Sequence, residues 1–306
     1  MLYKRKTEAI LMILPAVILL SIFIYFSVAL NFYNSLFRWD SFSIEKVWVG
    51  LKNYIRMASD EVFWTAFRNT VLFAIFSVIF QVGVALILAG VLEQKWLGKF
   101  GTVCRTIYFL PSMMSITVVA LLWQLALNAQ TGFVNQVLEA IGLGVLAHDW
   151  LGDANTAIFA AIFCNQWQYL GYTMLLFIIG IQKVPRDYIE AAYVDGCTPV
   201  SSFFHVVIPN IKGTILLNAA VTIIGSFKTF EGVFALTFGG PGRASEVLGT
   251  MLYREAFRND AMGYASAIGV VIFVVTFALS LIQQLRHHEL ENLLCAFSER
   301  SGQRAR

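Results

Sequence analysis

The sequence predicts an all-α membrane protein with six transmembrane helices. Three observations carry that prediction. The first is composition: 58% of the 306 residues are hydrophobic and 13% are charged, whereas soluble domains carry about 25% charged residues. The second is six mostly apolar runs, at 10–30, 71–92, 107–127, 157–180, 215–238 and 262–285. A helix of about 20 such residues crosses the hydrocarbon core. The third is an uneven distribution of Lys and Arg between alternate connections. Helices are the economical form for these runs, because an open sheet edge in lipid leaves backbone groups unpaired.

The first run follows Lys4, Arg5 and Lys6 and is 21 residues long. A signal-peptide core is about 7–15 residues, and no small-residue cleavage site follows, so the run is expected to stay as a span. Segment 31–69 holds "WDSFSIEKVWVGLKNYIRMASDEVFWTAFRN". Its aromatic rings suit the headgroup level and suggest an amphipathic helix on the outer face. The fifth run carries Lys228 and Glu231, three apart and expected to satisfy each other. With both termini cytoplasmic, the inner connections hold thirteen Lys and Arg against eight outside, and 128–155 holds none. The expected division is 1–65 (first helix and outer segment), 66–285 (a membrane core with a cytoplasmic loop at 185–210) and 286–306 (a charged cytoplasmic tail).

Several function classes are disfavoured. A net charge of +3 is small for nucleic-acid binding. Cys104, Cys164, Cys197 and Cys295 lack metal-ligand spacing and imply neither a disulfide framework nor a zinc site. His287 and His288 are adjacent and diverge on a helix, so a solvated tail is expected. No G-x-x-x-x-G-K-[ST] occurs, so the chain has no P-loop for ATP. No G-x-S-x-G or H-E-x-x-H occurs either, which leaves an intramembrane hydrolase unsupported. No metal or cofactor is expected in this chain.

Between the fourth and fifth runs lies "EAAYVDGCTPVSSFFHVVIP", residues 190–209. It is too polar to cross a membrane. Pro185 suits a first helical turn, and 186–194 is expected to be a short helix stopped by Gly196. Thr198 and Pro199 restart a second helix over 200–207, ending before Pro209. Short helices of this kind need something to dock against.

The spacing Glu190-Ala191-Ala192, Gly196, Val206, Ile208 and Pro209 resembles the "EAA" loop of permease subunits of binding-protein-dependent ABC importers. Val206 and Ile208 are mild departures from the Ile and Leu the family favours. "FKTFEGVFALTFGGPGRASEVLGTMLYREAF", with Gly239, Gly240 and Pro241, resembles the Gly-Gly-Pro segment of the carbohydrate branch, in the maltose-type first permease. "FWTAFRNT" resembles the start of that family's core. Together these features cover roughly 60–285. The resemblance implies a type I ABC importer permease fold in a bacterial inner membrane. It also implies a second homologous permease, two cytoplasmic ATPases that hold the ATP and magnesium, and an extracellular solute-binding protein. Glu190, Ala191, Ala192, Asp195, Gly196 and Pro209 would couple to the ATPase. Closure of the ATPases would move the short helix and rock the spans.

Polar residues inside spans are costly and tend to face a bundle interior or a water path. Asn165, Gln168 or Tyr169, and Tyr172 recur at helical spacing in the fourth run. Asn218, Thr222, Ser226 and Thr229 do so in the fifth. Amides, hydroxyls and aromatic faces suit a neutral carbohydrate. Inter-helix hydrogen bonding is the structural alternative. The resemblance favours Asn165, Tyr169, Tyr172, Ser226 and Thr229 as sugar contacts. Trp123 and Gln124 are weaker candidates, and Trp167 and Gln81 serve equally as packing residues. An ion-driven carrier would want buried carboxylates in its spans, and these are nearly absent. A glycerol-phosphate-like anion would want buried cations, which are scarce.

Overall fold

A computed structural model describes residues 6–42 and 45–304, with side chains from 10 to 285 except 43, 44 and 95. The expectations resting on Lys4 and Arg5, and on the side chains of Lys6, His287, His288 and Cys295, lie outside the described residues. The regular secondary structure of the described residues is helical apart from a two-residue antiparallel ribbon pairing Phe37–Arg38 with Val47–Trp48. That ribbon lies within 31–69, the segment in which the sequence suggested an amphipathic helix.

Helix α1 comprises Lys6–Leu20, a π-turn at Ser21–Tyr25, and Phe26–Asn34. It is followed by α2 (Lys52–Ser59) and α3 (Glu61–Leu92). Next come α4 (Gly98–Phe109), α5 (Ile116–Ala126), α6 (Phe133–Ala140) and α7 (Ala157–Gln182). The chain continues through α8 (Arg186–Val194), α9 (Pro199–Asn210), α10 (Lys212–Phe227) and α11 (Glu231–Thr237). It closes with α12 (Leu248–Phe257) and α13 (Met262–Arg304).

Six continuous spans are not what the described residues form. Three helical stretches are long and apolar enough to cross a membrane: Ile10–Asn34, Glu61–Leu92 and Met262–Leu285. Two bent pairs raise the number to five if each pair counts as one span. The expected run 107–127 is broken. Pro111 sits in a 3-10 turn, Met114 and Ser115 are extended, and α4 and α5 meet at 101°. The run 215–238 is also broken, since α10 stops at Phe227 and α11 starts at Glu231. The run 157–180 does form one 26-residue helix, α7. The polar stretch Asn165–Tyr169 at its middle makes it less apolar than the other three.

The chain divides into two compact units. One contains the residues up to Phe63 together with Met251–Val274; the other contains Trp64–Thr250 and the residues from Val275 onward. Within the first, α1 meets the start of α13: Asn31 donates to the Ser266 carbonyl at 3.3 Å and Phe32 meets Phe273 edge-on at 5.7 Å. A side chain at Gly263 would collide with the Phe37 carbonyl, so glycine permits that approach. Asn53 of α2 ties down the segment before the ribbon, donating to the carbonyls of Ser35 and Phe37 at 2.7 and 3.0 Å. Tyr264 donates to Asp60 at 2.8 Å beneath the Arg56 guanidinium.

In the second unit α7 is the hub, packed by α3, α4, α5, α10 and α11. One apolar core gathers Phe73, Ala120, Ile158, Ala161, Val233 and Leu236; another gathers Ala85, Ala89, Met174, Phe177, Val207 and Ile211. Small residues set the helix spacing, as expected where lipid supplies no hydrophobic drive between helices. Gly171 admits the Tyr108 carbonyl of α4, and Gly90 of α3 admits the Phe203 ring of α9. An amide chain crosses from α3 to α7: Gln81 donates to Gln166 at 2.8 Å, and Gln166 to Ser77 at 3.0 Å.

Candidate functional site

Two sites lie within the second unit. The first is a cavity of 650 Å³ bounded by α3, α7, α10 and the start of α11. Asn165, Tyr169, Tyr172, Asn218, Thr222, Ser226 and Thr229 all line it. Helical spacing explains the convergence: steps of three and four keep each set on one face, and α7 and α10 turn those faces toward each other. Gln168 stands apart. It is 2% exposed, lies outside this cavity and donates to the Met114 carbonyl at 3.1 Å.

The polar groups differ in what they have left to offer. Asn218 donates to Thr214 at 3.0 Å and Ser226 to Thr222 at 2.8 Å, both backward along α10. Both bonds stay within α10, and among the described residues this stripe makes no side-chain bond to another helix. Asn165 accepts from Gln81 at 3.4 Å. Tyr172 is 48% exposed. The weaker sequence candidates have structural work. Trp123 packs edge-on against Phe163 and Trp167, and Gln124 ties α5 to α11 through the Ala235 and Leu236 carbonyls at 2.9 and 3.0 Å.

Lys228 and Glu231 form no ion pair, contrary to the expectation from their spacing. Continuous helix would place them on one face, but the helix breaks between them, with Lys228 capping α10 and Glu231 opening α11. Both line the cavity. Gln81, which the sequence left open between path and packing, also lines it, as do Phe73, Thr173 and Gly232, which were not singled out. Gln81 and Thr173 left a signal as polar residues within apolar runs; Phe73 and Gly232 left none.

The second site is the loop joining α7 to α10. Its α8 segment ends as the sequence indicates. Gly196 takes φ +86°, and the Gly196 and Cys197 amides return to the carbonyls of Tyr193 and Ala192 at 3.1 and 2.9 Å. Thr198 caps the next helix by accepting from the Ser201 amide at 3.2 Å. The second helix does not end before Pro209. A π-turn at Phe203–Val207 carries it to Asn210, and the widened turn accommodates the proline, which has no N–H to donate. Glu190, Ala191, Asp195 and Pro209 are exposed, while Ala192 is buried against the chain's own interior. Tyr188, Tyr193, Val194, Val200 and Phe204 add exposed apolar surface. A 720 Å³ cavity beside them is lined by Glu93, Gln182, Arg186, Glu190 and Phe203, among others. An ion pair between Glu93 and Arg105 at 3.0 Å braces its wall.

The Gly-Gly-Pro segment and the "FWTAFRNT" motif meet. Asn69 donates to the Ala244 and Glu246 carbonyls at 2.7 and 2.8 Å, and Thr70 accepts from the Leu248 amide at 3.0 Å. Gly239 has φ +80° and the Gly240–Pro241 peptide is cis. Thr237 and Ser245 close the turn with a hydroxyl–hydroxyl bond of 2.8 Å.

Residues 81–290 match the family described as the binding-protein-dependent transport system inner membrane component. The chain belongs to this family. The permease is 46% identical to "Probable ABC transporter permease protein YurN" of Bacillus subtilis, covering 92% of this chain and 97% of that one. It is 32% identical to "Arabinooligosaccharides transport system permease protein AraP" of Halalkalibacterium halodurans, over 78% and 75% of the two chains. In fold it is similar to a chain of the crystal structure of "a bacterial ABC transporter involved in the import of the acidic polysaccharide alginate". That match has a TM-score of 0.81, 24% identity, and covers 94% of this permease and 96% of that chain. Relatives of this kind are transport components, not enzymes.

Proposed function

We propose that the permease forms one half of the translocation path of an ATP-driven importer for sugars or oligosaccharides. The observation that carries this reading is the 650 Å³ cavity, where amides and hydroxyls from two facing helices converge in a chain otherwise built of apolar helices. Asn165, Tyr169, Tyr172, Asn218, Thr222, Ser226 and Thr229 would contact the sugar; Gln168 would hold α7 against the segment before α5. The arabinooligosaccharide relative supports a carbohydrate cargo. The partners are a second, homologous permease, two cytoplasmic ATPases that bind the ATP and magnesium, and an extracellular solute-binding protein. Six crossings follow if α4 with α5, and α10 with α11, each cross as broken spans beside α1, α3, α7 and α13, with both chain termini in the cytoplasm.

The α8–α9 loop is the ATPase contact in this reading. Glu190 and Asp195 present charge, Ala191 allows close approach, Ala192 anchors the helix inward, and Gly196 makes the bend. The Gly-Gly-Pro segment with Gly239, Gly240 and Pro241 braces the core through Asn69. Reconstituted importer tests both parts. Joint replacement of Glu190 and Gly196 is expected to abolish ATP-dependent uptake while the chain remains in the membrane. Normal uptake by that variant would remove the coupling assignment. Joint substitution of Tyr172→Leu and Asn218→Leu is expected to lower sugar uptake at least tenfold with basal ATP hydrolysis retained. Unchanged uptake would remove the path assignment.

A further inference from the structure

The cavity holds two formal charges that have no ion-pair partner among the described residues. Lys228 and Glu231 are both exposed, both line the 650 Å³ space, and neither side chain makes an ion pair or hydrogen bond with a described residue. Their backbone positions are unremarkable. A cation is tolerated at the end of α10 and a carboxylate at the start of α11, because the helix dipoles favour those signs there. That accounts for the charges being tolerated at those positions, and leaves open what their side chains meet inside the cavity.

A neutral sugar gives these groups little. Water solvates both while the cavity is open. A solute that fills the space displaces that water, and a charge then loses stabilisation unless the solute restores it. Asn218, Thr222 and Ser226 provide what a neutral hydroxylated ring needs. Lys228 and Glu231 add one positive and one negative group beside that face, and charge-assisted hydrogen bonds are the stronger kind. Intramembrane ionisable residues generally mark a substrate or ion pathway.

We propose that the solute carried here is a zwitterionic sugar derivative, one bearing both a carboxylate and an ammonium group. Its carboxylate meets Lys228, its ammonium meets Glu231, and its hydroxyls meet the amide and hydroxyl face of α7 and α10. This deepens the sugar-path reading and rests on it. Among carbohydrate-like solutes the selectivity of this cavity is then for the paired charges, with neither a purely anionic nor a neutral sugar making both contacts.

Four pyranose probes of similar size separate the possibilities: glucose (neutral), glucuronate (anionic), glucosamine (cationic) and 2-amino-2-deoxyglucuronate (zwitterionic). Binding is titrated by saturation-transfer NMR on the complete detergent-purified importer, without its solute-binding protein, so that the partner's own selectivity does not enter. The 2-amino-2-deoxyglucuronate is expected to bind at least about tenfold more tightly than glucose. Lys228→Gln should remove that advantage and weaken glucuronate, and Glu231→Gln should remove it and weaken glucosamine. Neither should weaken glucose, because the charge that a neutral solute would desolvate is gone. A charge-exchanged variant, Lys228→Glu with Glu231→Lys, keeps the same side-chain types in the cavity and should retain part of the preference if both groups face one solute.

Equal binding of all four probes to the wild-type importer overturns the proposal. So does loss of complex assembly on size exclusion in the Gln variants with probe binding unchanged, because the charges then serve a neighbouring subunit. Failure of the underlying path reading looks different: Tyr172→Leu with Asn218→Leu would leave the binding of every probe unaffected.

Discussion

Gly196 shows how one residue can be fixed by backbone conformation alone. It sits at φ +86° with nothing within 4 Å of the position a Cβ would take. Gly196→Ala therefore meets no clash, only the left-handed strain of roughly 1 kcal/mol. The expected outcome is near-normal expression and thermal stability in detergent, with a measurable loss of uptake per ATP hydrolysed because the α8–α9 angle shifts. Asn69 is the contrary case, buried and holding two carbonyls of the Gly-Gly-Pro segment. Asn69→Ala strands both acceptors and should cost about 2–4 kcal/mol, seen as a lowered melting temperature of the purified permease. The bend at Gly196 was legible, since glycine after a short amphipathic helix has one common use. The role of Asn69 was not, because its partners lie about 175 residues away.

At the scale of the element, the contacts that matter are close approaches between helices. α9 reaches α3 through the Phe203 ring seated on Gly90. Gly90→Ala forces that ring outward. Uptake should fall while the chain still inserts, and Phe203→Leu in the same background should restore part of it. Persistence of full uptake in Gly90→Ala would show that this contact does not transmit motion. Gly171 faces a harder limit, because a Cβ there runs into the Tyr108 backbone carbonyl. Gly171→Ala should destabilise by roughly 3 kcal/mol or more, read as loss of folded protein after detergent extraction. The hydropathy of the runs gave helix positions well for α1, α3, α7 and α13. It failed at α4–α5 and α10–α11, because an apolar run carries no direct record of a bend. Pro111 was a visible warning of the first break. For the second, Lys228 and Glu231 marked the place, but spacing on an unbroken helix suggested a pair where the chain in fact turns.

For the whole molecule, the second unit contains both the polar cavity and the α8–α9 loop, joined by α7, which lines the first between Asn165 and Leu176 and leads into the second at Val184. A continuous 26-residue helix provides a physical route from loop to path. The membrane character, the helical class, the loop with its glycine bend and the two polar stripes were determined by the sequence alone. These features are local, and composition, hydropathy and three-to-four-residue spacing report local structure directly. The tertiary structure alone decided that the two stripes share one cavity and that Gln168 lies outside it. It also decided that Ala192 turns inward, and that Lys228 and Glu231 face the cavity unpaired. Each of those depends on which helix faces which and on where a helix breaks, and packing between distant segments sets both.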